Sequence, residues 1–292
     1  MPVAIVTDSV ACLPQAVVDS HEITVVPLEV IYKGKVYRDG IDITAARFYD
    51  LLAASDEIPT STAAPPEAYL EVYEKHMREG KEVLCICPSR KLTHAYESAL
   101  VASKLFKEKT PKARVEVLDS GTVGGAQGFV VMDSAVAVKR GAGLEKAIKI
   151  AQEATKSVHL IAFLETLDYL AKGGRVPNVI AWANSILKIR VIIELLPQGR
   201  GVIPIDRART RQRAMERLLE LLIKKTRNLA ARVAVQHTNS PEEAGYLALK
   251  VKSLPNCRQV EVQDFTPVMG VHTGPGLLGL AWSTCDVSEI EK

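Results

Sequence analysis

The sequence predicts an α/β protein in two domains, and three observations carry that expectation. Its 292 residues are enough for two domains of ordinary size. Over residues 3–140, short apolar runs alternate with helix-spaced segments, the pattern of a doubly wound parallel sheet. From Ser157 the rhythm changes to strand pairs mixed with helices, which predicts an α+β unit with a mixed sheet. The expected domains are therefore residues 1–156 and 157–292.

The elements follow in order. "VAIVT" at 3–7 is a short buried strand, followed by "DSVACLP" and a short helix. "ITVVPLEVIY" is expected as one strand, and "YKGKVY" alternates about Lys33-Gly34 as a hairpin should. "ITAARFYDLLAAS" has helical spacing, with Phe48, Leu51 and Leu52 on one side. "EIPTSTAAPP" is expected as a polar, proline-rich loop before a helix that Gly80 closes. A strand at 82–87, a helix to about Lys109, a strand at 114–118 and a helix to about Arg140 follow, and "RGAG" precedes one more helix.

In the second half, "VHLIAFLE" is a strand, "TLDYLAKGG" a short helix and "IRVIIELLPQGRGVIPIDRA" two strands about a glycine-rich turn. A basic helix from 211, the strand "ARVAVQH" and a helix opening "SPEE" come next. Ser240 is its expected N-cap, Pro241 its first residue and Glu243 the partner in a capping box. "RQVEVQDF" and "LLGLAWS" supply the last strands.

Composition narrows the function classes. Aromatic residues are 5% of the chain, so the core has to be aliphatic. A net charge of +3 is too mild to indicate nucleic acid, and Lys and Arg are dispersed except in "RARTRQR" at 207–213. With the first strand beginning at Val3, no signal peptide is expected. Uncharged runs such as "VPNVIAWANSIL" are too short to span a bilayer. The five cysteines form no C-x-x-C pair and are expected as reduced thiols in the cytoplasm, with Cys85 and Cys87 on one side of a sheet.

The strand ends carry the chemistry: "TDS" at 7–9, "PTST" at 59–62, "PSRKLT" at 88–93 and "DSGTVGG" at 119–125. Ser9, Ser89, Ser120, Asp8 and Asp119 are expected mainly as helix caps. Thr60 and Ser61 open no evident helix and are functional candidates. Arg175 follows a helix broken by two glycines, and His272 stands before Gly274-Pro275-Gly276. Known templates fail. Val123 spoils G-x-G-x-x-G, no phosphate loop or nucleophile elbow occurs, and the histidines lack metal-ligand spacing. Neither a cofactor nor a metal is expected.

Taken together, "VTDSVACLP", "PTST", "PSRKLTHAY", "LDSGTVGGAQG", "YLAKGGRV", "RARTRQRA" and "HTGPGLLG" resemble the signatures of the DegV family, in order and over nearly the whole chain. The resemblance implies a DegV-like fold of two α/β domains with an acyl chain buried between them. It implies a cytoplasmic fatty-acid-binding protein, not itself an enzyme, that presents a long-chain fatty acid to the catalytic subunit of a fatty acid kinase. Contact with nucleic acid or integral membrane is not expected; transient contact with a membrane surface stays open. By resemblance the carboxylate falls to Thr60, Ser61, Thr93, Arg209 (beside Arg211) and His272, and Arg175 meets the kinase. The chain departs from the family's Ser-Gly-Thr-Tyr at Thr93-His94-Ala95-Tyr96, where His94 is expected to point inward. The alternatives are an acyl hydrolase or transferase using Thr93 or Ser61 with His272, and a binder of another small amphiphile.

Overall fold

The computed structural model describes residues 1–55, 57–176, 179, 189–227 and 229–284. Most of the uncharged run at 176–187, and Cys285, lie outside the described residues. The first half runs β1 (Val3–Asp8), α1 (Gln15–Ser20), β2 (Thr24–Val26), β3 (Glu29–Tyr32), β4 (Lys35–Arg38), α2 (Ala45–Ala53) and β5 (Thr60–Thr62). It continues with α3 (Pro66–Arg78), β6 (Glu82–Cys87), α4 (Ala95–Lys109), β7 (Val115–Asp119), α5 (Gly124–Lys139) and α6 (Leu144–Ser157). The second half contains β8 (Val158–Phe163), α7 (Asp168–Gly173), β9 (Arg190–Leu196), β10 (Gly201–Ala208), α8 (Arg211–Thr226) and β11 (Ala231–His237). It closes with α9 (Pro241–Lys252), β12 (Cys257–Asp264), α10 (Pro267–Thr273) and β13 (Leu278–Ser283).

The first half builds a parallel sheet in the order β2-β1-β6-β7. Both faces are covered, because alternate residues of a strand point to opposite sides. Ala4, Val6 and Val83 pack with Tyr69, Tyr73 and Phe106 of α3 and α4. Val3, Ile5 and Leu84 pack on the other face with residues of α5 and α6. The second half forms a mixed sheet, β10-β9-β8-β13-β11-β12, in which only β11 and β12 are parallel. Cys85 and Cys87 share a face, with their sulfurs 3.7 Å apart.

Two expectations are corrected. The run 23–32 is two strands, since β2 belongs to the parallel sheet whereas β3 joins a separate antiparallel sheet β4-β3-β5. Pro27 stands between them, and a proline cannot donate to a ladder. The capping box also fails: the Ser240 hydroxyl donates to Thr238 O, and Glu243 pairs with Arg211. Tertiary partners outcompete the local motif.

Helix α5 is buried on nearly all sides, and its core cluster extends into Leu160, Leu195, Ala234 and Ala281 of the mixed sheet. A helix apolar all round is an internal one. The glycines of "DSGTVGG" permit this close fit. Gly199 N donates to Gly121 O at 2.7 Å, and a Cβ on Gly121 would lie 2.7 Å from Gln198 Cα. Gly125 N donates to Gln236 Oε1 at 3.0 Å. Arg232 pairs with the buried Asp133 at 2.7 Å.

Asp8 ends β1 fully buried, accepting from Val10 N at 3.0 Å, while its Oδ2 has no partner among the described residues. Burial, with a smaller contribution from the buried Asp39, raises its pKa to about 7. A raised carboxyl pKa means the folded state holds a proton that the unfolded chain has lost, so stability falls as pH rises from 3.8 through about 7. Asp8→Asn keeps the acceptor and removes the charge. Its melting temperature relative to the parent should therefore rise by a few degrees between pH 5 and pH 8. A difference that does not change with pH contradicts this.

Candidate functional site

A cavity with about 1090 Å³ of empty space, its mouth included, has walls from both halves of the chain. Its apolar lining includes Leu28, Leu92 and Val123 from the first half and Leu160, Leu195 and Val268 from the second. The polar side chains on it are Ser61, Thr62, Thr93 and Thr273, with His94, His272 and Arg175.

His272 lies in the last turn of α10, a helix absent from the sequence reading. Its signals are nonetheless in the chain: Thr266 as N-cap, Pro267 at the first position and Gly274 at the C-cap with φ +68°. The imidazole Nε2 lies 2.7 Å from Ser61 Oγ, which brings together residues 211 positions apart. Ser61 is the middle residue of β5, a strand where a loop was expected. Thr62 beside it also lines the cavity, whereas Thr60 is exposed and outside the lining.

Thr93 lines the cavity, and its Oγ1 accepts from Ala95 N at 3.3 Å. A hydroxyl that accepts in this way still has its O–H free to donate. His94 reaches the cavity edge, but its side chain is 90% exposed, beside Glu97. The expectation of an inward imidazole is thus corrected. Arg175 is exposed at the mouth and donates to Gly173 O at 2.6 Å.

Arg209 is exposed and does not line the cavity. Its neighbour Arg211 is half-buried, pairs with Glu165 and Glu243, and donates to Gly276 O at 2.8 Å. It braces the glycine-proline turn behind His272. Ser9, Ser89 and Ser120 do not cap regular helices. Ser9 Oγ accepts from Leu28 N, Ser120 closes a local turn with Thr122, and Ser89 Oγ has no partner among the described residues. No group of three or more His, Cys, Asp or Glu side chains among the described residues could hold a metal ion.

With the geometry in place, comparison with known proteins is decisive. A family model described as "Uncharacterised protein, DegV family" matches residues 2–284. The chain belongs to the DegV family. Protein DegV of Bacillus subtilis is 30% identical over 284 residues, covering 97% of this chain and 99% of that one. A fatty-acid-binding DegV family protein from Thermus thermophilus superposes with a TM-score of 0.90 at 25% identity, covering 98% and 100% of the two chains. A stearic-acid-binding protein from Eubacterium ventriosum gives 0.89 at 25% identity, covering 96% and 97%.

Within this DegV architecture the central imidazole is uncharged. Burial first, and the positive charge of Arg175 second, lower the His272 pKa to about 4. Its buried Nδ1 has no partner among the described residues. The ring therefore offers one N–H and one lone pair near neutral pH. Because the folded pKa is depressed, the unfolded chain takes up this proton first. The associated stability is present above about 6.5 and is lost as pH falls toward about 4. NMR titration of His272 should give a midpoint near 4; a midpoint at the ordinary histidine value contradicts the site as described.

Proposed function

We propose that this protein is a carrier for a long-chain fatty acid. The acyl tail occupies the aliphatic cavity, and the carboxylate inserts between Ser61 and His272, replacing their mutual bond and accepting from the Ser61 and Thr93 hydroxyls and the His272 Nε2–H. The carboxylate is presented to the catalytic subunit of a separate fatty acid kinase, in the cytoplasm where ATP is available. The observation that carries this reading is the Ser61–His272 pair, neutral and polar, in the wall of a largely apolar cavity. Relatives of the same fold bind fatty acids, one of them stearic acid, which supports the assignment.

The energetics favour such a division of labour. Each buried methylene contributes roughly 0.8 kcal/mol, so about fifteen supply on the order of 12 kcal/mol gross. A carboxylate stripped of water costs several kcal/mol unless donors replace its hydration. Hydroxyls and one imidazole N–H meet that need without burying a second full charge. Thr60 and Arg209 are left out of the set because neither lines the cavity.

The contact at 2.7 Å also favours a second reading, a hydrolase with Ser61 as nucleophile and His272 as base. Two features weigh against it. No carboxylate orients Nδ1 among the described residues, and a histidine with a pKa of about 4 is a weak base near neutrality.

Two variants test the carrier reading. His272→Ala should keep the fold and weaken palmitate binding by about 1.5–3 kcal/mol, the cost of removing a donor to a buried anion. Arg175→Ala should leave palmitate affinity near the parent's while phosphorylation by the kinase subunit falls. Lost affinity with normal phosphorylation of the bound acid would instead place Arg175 in the ligand site.

A further inference from the structure

His272 is held from two directions by residues that no sequence motif assigns to it. The first is α7. Tyr169 and Gly173 are four residues apart on this helix and so share a face. That face meets the end of α10 at two close approaches. The Tyr169 ring covers Gly274, where an added Cβ would lie 2.3 Å from Tyr169 Cδ2. A Cβ on Gly173 would lie 2.7 Å from His272 Nδ1, well inside the 3.4 Å at which ordinary contact begins. Gly173 has no left-handed backbone to explain its identity. Its missing side chain is the space the imidazole fills.

The second direction is Thr238, which is fully buried at the end of β11. Its hydroxyl donates to Gly274 O at 2.7 Å and accepts from Leu277 N at 2.8 Å. Its carbonyl accepts from Gly276 N at 2.8 Å, and its N–H donates to Leu277 O at 3.1 Å. One threonine thus makes four hydrogen bonds to the short segment that follows His272. The segment cannot slide, so the helix that ends there cannot slide either.

We propose that Gly173 and Thr238 are positioning residues for His272: the glycine seats the ring, and the threonine fixes the turn, so that Nε2 is delivered to the carboxylate site beside Ser61. This rests on the reading that His272 binds a fatty-acid carboxylate. Neither residue touches the ligand in this account; each acts through the imidazole.

Gly173→Ala separates positioning from general damage, because alanine is a better helix residue than glycine. The full-length variant should melt within a few degrees of the parent, bind palmitate roughly tenfold or more weakly, as for a lost donor to an anion, and show shifted His272 ring ¹⁵N resonances. Thr238→Val should lose affinity and shift the same resonances, whereas Thr238→Ser, which retains the hydroxyl, should match the parent. If Thr238→Val does not fold, Gly173→Ala decides alone. Parent-like affinity in Gly173→Ala overturns the proposal. So does lost affinity with unmoved ring resonances, or a Gly173→Ala protein that melts well below the parent. The resonances need no ligand: a parent that fails to bind palmitate would sink the carrier reading, while the ring shifts would still decide the positioning.

Discussion

The hydrogen bond between Ser61 and His272 joins a three-residue strand of the first half to a seven-residue helix of the second. Neither element could hold its side chain alone, since both are short. Each is fixed by something larger. β5 is pinned by antiparallel pairing with β3, where Ser61 stands opposite Val30. The end of α10 is pinned by Thr238, by Arg211 on Gly276 and by the α7 face. The halves are in turn locked by α5, which contributes to one core with both sheets. A polar pair in a cavity wall therefore depends on the whole interdigitated architecture.

Much of this was legible in the chain, and the failures have physical causes. β1 and β6 were readable because buried parallel strands are runs of apolar residues, and β7, an edge strand, by its alternation. The β3–β4 turn was readable because Lys33 and Gly34 both adopt positive φ, as a two-residue hairpin turn requires. β5 was not, since Thr-Ser-Thr has no apolar alternation and its pairing with β3 is wholly tertiary. α10 is too short to show a period, so only its cap residues betrayed it. His272 and Ser61 were identifiable as candidates, but Thr60 could not be separated from Ser61 without the strand's placement. Nor could Arg209 be separated from Arg211, whose salt bridges to Glu165 and Glu243 come from distant elements. Thr238 carries no local signal, and Gly173 stands in "YLAKGGRV" with nothing there to show its contact with His272.

The neutral character of the site has a functional logic. A buried arginine would hold a carboxylate more tightly, but its own desolvation would have to be offset. Hydroxyls and an uncharged imidazole cost less to bury and leave the carboxylate less strongly neutralised. The nearest free-standing positive charge on the lining, Arg175, stays exposed at the mouth. In the proposed carrier, an acid held in this way is retained mainly by its tail, and its head stays available to a partner.

The central claim is that the cavity holds a long-chain carboxylic acid with no covalent bond to it. Native mass spectrometry of the purified full-length protein, followed by denaturation and analysis of what is released, tests this directly. The account predicts close to one fatty acid per chain, lost on denaturation and leaving the polypeptide at its sequence mass. A polypeptide that stays heavier by one acyl group, mapped to Ser61, would contradict it, as would protein that neither carries a fatty acid nor takes one up when palmitate is supplied.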